Sequence, residues 1–319
     1  MVADRNSGVF YSPYGFDMIF EISGTTLPIW LPLLWGVLVG LVFSTVGAAG
    51  GILASVGLIS VMGVQDPNLV KPMAQALTLA TSLIAVPGYY RQCRVVTSLA
   101  VIMGAGGILG ALIGSTLSTT YLADLNLFRL VFGGLILVIA LQIAWKLLRH
   151  KRHGNTRAKR AATAFETLIR DGGSPCSIGV RQLRYSLRRI QFEFGGVRFT
   201  YSPWLPLLTG VGIAVISSAL GVGGGFLLVP FMTILLGLPM FIVAGTAALA
   251  IAVSSVTSIA NYMRLGVELD IPLLLLLLTG TVVGAWIGPW LSRHLQERWL
   301  QGILSLVLLL IGLRYLRLF

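Results

Sequence analysis

Apolar residues run along this chain in long blocks, and polar residues only punctuate them. The blocks are Leu27 to Gly63, Val70 to Tyr89, Leu99 to Ser118, Phe128 to Leu148, Trp204 to Gly237, Phe241 to Tyr262, Ile271 to Leu291 and Trp299 to Leu316. A straight helix needs ~20 residues to cross a bilayer. Leu27 to Gly63 is far longer than that, at 37 residues, and Trp204 to Gly237 is also overlong. Each of these two carries glycines near its middle: STVGAAGGIL at 44–53 and SSALGVGGGFLLV at 217–229. Consecutive glycines break a helix and free backbone N–H groups. In hydrocarbon such groups are tolerated only where they line a cavity or face protein. Each long block is therefore predicted to be broken, either a hairpin dipping into the bilayer or two short crossings.

The two breaks belong to a duplication. Setting Gly47 on Gly221 also sets Gly50 on Gly224, Gly51 on Gly225, and Trp30-Leu31-Pro32-Leu33-Leu34 on Trp204-Leu205-Pro206-Leu207-Leu208. Val70 to Tyr89, which opens on Lys71-Pro72 with proline in its first turn, has Phe241 to Tyr262 as its counterpart. GTVVGAWIG at 280–288 falls on GGILGALIG at 106–114. Small residues every fourth position allow close helix contact, so Gly106, Gly110, Gly280, Gly284 and Gly288 are assigned to packing. The predicted divisions are an interfacial segment 1–26, a first transmembrane repeat 27–148, a linker 149–202 and a second repeat 203–319. The fold class is an all-α polytopic membrane protein. An odd number of crossings per half makes the repeats inverted, and the two-armed first element favours that. Broken elements at matching places in two halves point to a transporter binding site.

Composition agrees with the bilayer. The chain has 319 residues, 56% hydrophobic and 11% charged, against roughly 25% charged in soluble domains. Asp4, Asp17 and Glu21 stand where a secretory signal would carry its basic and apolar regions, so residues 1–26 are not read as one. The net charge of +12 is concentrated in the centre: Lys146 to Arg198 holds thirteen Lys or Arg against three acids. By the positive-inside rule this linker faces the cytoplasm, and its charge suits anionic lipid better than nucleic acid. Within it, Ile190 to Tyr201 alternates around Gly195-Gly196 and reads as a β-hairpin, a small soluble appendage. Cys93 and Cys176 sit in different loops and imply neither a disulfide framework nor a metal site.

Three features carry a family resemblance: the break GVGGGFLLVP at 221–230, the following helix AGTAALAIAVSSVTS at 244–258, and the small-residue helix at 280–288. With the duplication they resemble the TauE/SafE family of membrane permeases, over roughly residues 30–148 and 203–317. The first half departs from the family pattern, with GAAGG in place of GxGGG and Val56 opposite Pro230. The resemblance implies transport of a sulfur-containing anion: sulfite, thiosulfate or an organosulfonate.

Such an anion needs donors without tight capture. Lys or Arg at the bilayer centre is expensive, and the middle of each block has none. The candidates are backbone N–H groups and helix N-termini, with Gly50, Gly51, Gly224 and Gly225 as the cradle. Ser44, Ser217, Gln75, Thr78, Thr246 and Ser254 are nearby hydroxyl and amide candidates; their ordinary role is to bond their own helix or pack between helices. Lys71, Arg91 and Arg264 either snorkel at the interface or draw anions into two vestibules. No Asp or Glu lies within a block, and His150, His153 and His294 fall in loops or at helix ends, so a side-chain proton relay is not expected. The anion then moves alone or carries its own proton, or a coupling cation is held by backbone carbonyls; the first two are preferred. No cofactor is implied. A channel, or a carrier of a small carboxylate or other inorganic anion, is the competing reading. An enzyme is opposed by the lack of HExxH, GxSxG and paired intramembrane acids.

Overall fold

The computed structural model describes residues 17–46, 50–148, 156–184, 186, 189–291 and 297–316. The apolar blocks fold as helices: α1 (Trp30–Val46), α2 (Gly50–Val56), α3 (Pro67–Arg91), α4 (Thr97–Tyr121) and α5 (Leu125–Leu148), then α7 (Trp204–Leu220), α8 (Gly225–Pro230), α9 (Met240–Arg264), α10 (Ile271–Leu291) and α11 (Glu297–Tyr315), with α6 (Thr156–Arg170) in the linker. α3, α4, Leu125–Ala144 of α5, and α9 are long and apolar enough to cross a membrane. The protein is a mostly helical membrane protein. Both overlong blocks are interrupted, and α2 and α8 each run on into a π-helical turn, Gly57–Val61 and Phe231–Leu235.

The glycine stripes set how the helices pack. A Cβ at Gly106, Gly110 or Gly114 of α4 would collide with the carbonyl of Leu207, Val211 or Val215 of α7. The numbers rise together, so α4 and α7 run in the same direction at backbone contact. α1 and α10 do the same: Gly36 and Gly40 abut Leu277 and Thr281, while Gly280 and Gly284 abut Leu33 and Val37. Each half of the chain thus presses a helix of its broken block against the small-residue helix of the other half. α3 and α9 run antiparallel, with Gly245 against Tyr89. α5 and α11 also run antiparallel, with Gly133 against Tyr315.

Several local expectations are corrected. α3 opens on Pro67, and Asp66 caps it by accepting from the Asn68 N–H at 2.8 Å; the Lys71-Pro72 pair lies inside the helix. Within the described part of the N-terminal segment, β1 (Asp17–Phe20) pairs with β2 (Thr25–Pro28). The Ser23 N–H donates to the buried Asp270 carboxylate at 3.0 Å, which ties this hairpin to the start of α10. Residues 1–16, Gly47, His150, His153 and His294 lie outside the described residues.

The linker hairpin forms as β4 (Ile190–Phe194) and β5 (Val197–Tyr201), in register from Ile190↔Tyr201 to Phe194↔Val197. Gly195 and Gly196 have φ of 57° and 71°, the two left-handed residues that a tight hairpin turn demands. β3 (Arg181–Arg184) adds a third strand. The linker is not a free appendage. Phe165 of α6 packs between Phe194 and Phe241 with its ring tilted against both, centroids 5.1 and 5.4 Å away. The Tyr201 hydroxyl bonds Ser98 of α4 at 2.9 Å. One aromatic core therefore spans the sheet, α6 and the adjoining ends of α4 and α9. Docking also brings Cys176 onto the α3–α4 loop, where it forms a disulfide with Cys93, Cα–Cα 5.1 Å. The sequence implied no disulfide from these two cysteines because their loops are 83 residues apart and only this docking joins them.

Gly110→Ala forces backbone apart at the α4–α7 contact, and we expect a loss of about 1–3 kcal/mol. Gly212→Ala, on the same α7 with nothing within 4 Å of the new Cβ, should be neutral or up to about 1 kcal/mol stabilising. Thermal unfolding of the two variants in detergent checks this opposition of sign.

Candidate functional site

α7 stops inside the protein, and its last carbonyls lose their helical partners. The chain turns there because Gly221, Gly223 and Gly224 take φ of 73°, 74° and 71°, a left-handed conformation that costs other residues roughly 1–2 kcal/mol. Four helices send side chains to the stranded carbonyls. Gln75 of α3 donates Nε2 to Ser218 at 3.4 Å and to Ser217 at 3.3 Å, whose carbonyl still holds the N–H of Gly221 and Val222. Tyr262 of α9 donates to Ser218 at 2.8 Å. Ser118 of α4 donates to Ala219 at 2.7 Å, and Ser55 of α2 to Gly221 at 3.3 Å. The donor side of the same break stays open. Among the described residues no acceptor meets the N–H of Gly223, Gly224 or Gly225.

The first break arrives at the same place. A Cβ on Gly51 would strike the Val222 carbonyl and lie 3.2 Å from the Thr78 methyl. One on Gly223 would strike Thr78, and one on Gly224 would sit 3.2 Å from the Ser217 hydroxyl. The two breaks therefore touch across one turn of α3, the turn that carries Gln75 and Thr78. Gly50 is set back against Phe43, and Gly225 begins α8. Gln75 is 2% exposed, and its Oε1 has no partner while Nε2 faces two carbonyls, which fixes the orientation of the amide.

The hydroxyl candidates divide. Thr78 donates to Ala74 and Gln75, Ser217 to Ala214, Ser44 to Leu41 and Ser254 to Ile251. Each hydroxyl proton is spent on its own helix, which is the usual habit of buried Ser and Thr. Thr246 is further from the crossing: it donates to Ile242 and accepts the Val96 N–H at 3.0 Å, pinning α4 to α9. Ser254 packs over Gly107 of α4. Thr78 and Ser217 stand at the crossing, and Ser44 approaches it from one side.

That side holds a cavity of about 440 Å³, lined by Ser44 and Thr81 at one end and by Tyr89, Gln92 and Arg94 at the other. Arg94 is clamped. Its Nε donates to the Phe241 carbonyl at 2.8 Å and Nη1 to Gln92 at 2.9 Å. Its guanidinium stands about 5 Å from the Tyr89 and Phe241 rings. Burial pulls its pKa below the ordinary value, and Tyr89 opposes the shift. Arg91, the expected vestibule residue, is exposed and does not line this cavity. Helix phase and the tight α3–α4 loop select Arg94, which a count of charges cannot distinguish from its neighbour. At the other end of the bundle Arg264 is exposed, and a second cavity of about 440 Å³ carries Asp66 and Glu268. Lys71 lines neither. It is fully buried, with Nζ on the carbonyl of Leu122 at 2.8 Å, on Asn68 at 3.0 Å and over the Phe128 ring. Its hydrogen bonds tie α3 to the end of α4.

A sequence model of the family described as "Sulfite exporter TauE/SafE" matches residues 32–315. The chain is similar to the "Probable membrane transporter protein YunE" of Bacillus subtilis (strain 168), at 25% identity over 289 residues, covering 87% of this chain and 93% of that protein. No solved structure matches it.

Gly223→Ala adds both backbone strain and a collision with Thr78. We expect it to destabilise the protein by about 1–3 kcal/mol, and Thr78→Ala in the same chain to recover only the collision. A double-mutant cycle by thermal unfolding measures the coupling; strict additivity of the two changes would remove the contact.

Proposed function

This chain belongs to the TauE/SafE sulfite exporter family, a family of membrane transporters, and on that premise we propose that it is a secondary transporter of a small sulfur-containing anion: sulfite, thiosulfate or an organosulfonate. One observation carries the reading. At the crossing of the two breaks the backbone acceptors are capped by side chains, while the N–H groups of Gly223, Gly224 and Gly225 are left open. An anion fits donors without acceptors. The helical arms 50–61 and 225–235 would each add roughly half a positive charge, enough to attract an anion and weak enough to release it. The substrate-binding set is then Gly50, Gly51, Gly223, Gly224 and Gly225 with Gln75, while Thr78, Ser217 and Ser44, their protons spent on their own helices, line the site without donating. The open Oε1 of Gln75 favours an anion that brings its own proton, such as hydrogensulfite. Arg94 serves as the vestibule charge in place of Arg91.

The architecture behind this reading is a pair of inverted repeats, 27–148 and 203–319, each opening with a hairpin that enters and leaves on one side. Its support is directional. α1 runs with α10, α7 runs with α4, and α3 runs against α9. The π turn after α2 returns to Tyr315 at the end of α11 through Ser60, and the one after α8 returns to the linker core through Phe231 and Met232. Alternating access would follow from one repeat rocking against the other.

The test is counterflow of labelled sulfite into liposomes, competed by thiosulfate, taurine, sulfoacetate, sulfate and acetate. Saturable counterflow suppressed by sulfur anions is expected. Gly51→Leu and Gly224→Leu should abolish it, and Arg94→Gln should reduce uptake at low substrate at least several-fold. Unsaturable flux without counterflow would mean a channel, and suppression by acetate alone a carboxylate carrier.

We place the basic linker in the cytoplasm by its charge. The Cys93–Cys176 bridge would then be a reversible one, since cytosolic disulfides are transient. Inside-out vesicles treated with a membrane-impermeant maleimide should label Cys176 after reduction, and sealed right-side-out cells should not. The opposite result would move the linker outside.

A further inference from the structure

We propose that the groove between α5 and α11 is a binding site for the headgroup of an anionic phospholipid, a site separate from the substrate crossing. A cavity of about 660 Å³ lies there, lined among others by Ser60, Leu127, Arg129, Leu130, Arg314 and Tyr315. Among the described lining residues there are two arginines and no carboxylate. Among the described residues the salt bridge present is Arg198–Glu193 in the linker, and the nearby Asp124 is occupied in capping α5 through the N–H of Asn126 and Leu127. The Arg129 Nε is buried and has no partner. A buried, charged donor left unsatisfied is costly, and a phosphate oxygen would satisfy it. Both guanidinium groups lie within electrostatic reach of the Tyr315 hydroxyl, which itself bonds Ser60. The end of the groove is thus a cluster of donors.

Depth and rim select a lipid. Arg129 stands one turn inside the start of α5, and Arg314 is next to the last residue of α11. At 1.5 Å per residue both sit within a turn of their helix ends, at the level of headgroups. Deeper along the two helices exposed apolar side chains follow: Leu130, Val138 and Leu141 on α5, and Leu310 and Leu306 on α11. A free phosphate needs no such track, whereas acyl chains do.

The 319-residue chain in mild detergent is titrated with phosphatidylglycerol, phosphatidylcholine or glycerol phosphate, and thermal unfolding and native mass spectrometry are read. Phosphatidylglycerol should raise Tm and give a retained one-lipid adduct; the other two should do neither. Arg314→Gln, an exposed change that should not impair folding, is expected to weaken phosphatidylglycerol binding roughly fivefold. Arg129→Gln should do the same, and the pair more. Arg181→Gln with Arg184→Gln in the linker should leave binding unchanged. Equal binding of phosphatidylcholine, or an unaltered titration in Arg314→Gln and the double variant, would overturn the proposal. An equal effect of glycerol phosphate would make it an oxyanion site without a lipid and would also overturn it.

Discussion

A backbone carbonyl in hydrocarbon must find a donor, and the end of α7 has several to satisfy at once. Glycine turns the chain away at Gly221, so the helix cannot supply the next turn of N–H groups. Gln75, Tyr262, Ser118 and Ser55 supply them from four other helices. A carbonyl left here without any donor would cost about 1–3 kcal/mol, and among the described residues Ala219 and Gly221 rest on Ser118 and Ser55 alone. The positions of α2, α3, α4 and α9 around the break are therefore fixed by a polar requirement, in a setting where lipid competes with any apolar contact and the hydrophobic effect does little between helices.

Close backbone approach makes that convergence possible. The side-chain oxygens of Ser55 and Ser118 are short, and they reach their carbonyls only because glycine stripes bring α4 onto α7, while Gly51 on α2 admits the Val222 carbonyl. The same stripes interlock the halves of the chain, α1 with α10 and α4 with α7. Stability and site geometry share these contacts. The linker extends the arrangement at one end: its aromatic core and the Cys93–Cys176 bridge hold the α3–α4 loop, and Arg94 in that loop stands at the mouth of the cavity leading toward Thr78.

The membrane helices, the interruption of both overlong blocks and the β-hairpin were legible because each leaves a local mark: a run of apolar residues, clustered glycines, an alternation around Gly195-Gly196. Gln75 stood out as an amide in an apolar block. Other parts left no such mark. Arg91 and Arg94 look alike in the chain, and only the loop's turn sends Arg94 inward. Lys71 read as a vestibule charge, yet it is buried on carbonyls at the end of α4 because α4 and α5 close over it. Thr246 and Thr78 are both buried threonines of corresponding helices, α9 and α3. One pins the Val96 amide and the other stands at the crossing, a difference set by neighbours from distant sequence.

By itself the sequence determined membrane insertion, the helical blocks and where the backbone would break, since these follow from hydropathy and from the conformational freedom of glycine over a few residues. Only the tertiary structure decided that the two breaks meet at Gln75 and Thr78, that the acceptors there are capped while donors stay open, and that Cys93 reaches Cys176. Those depend on contacts between residues scores of positions apart, and no local pattern encodes which distant carbonyl a given side chain will find.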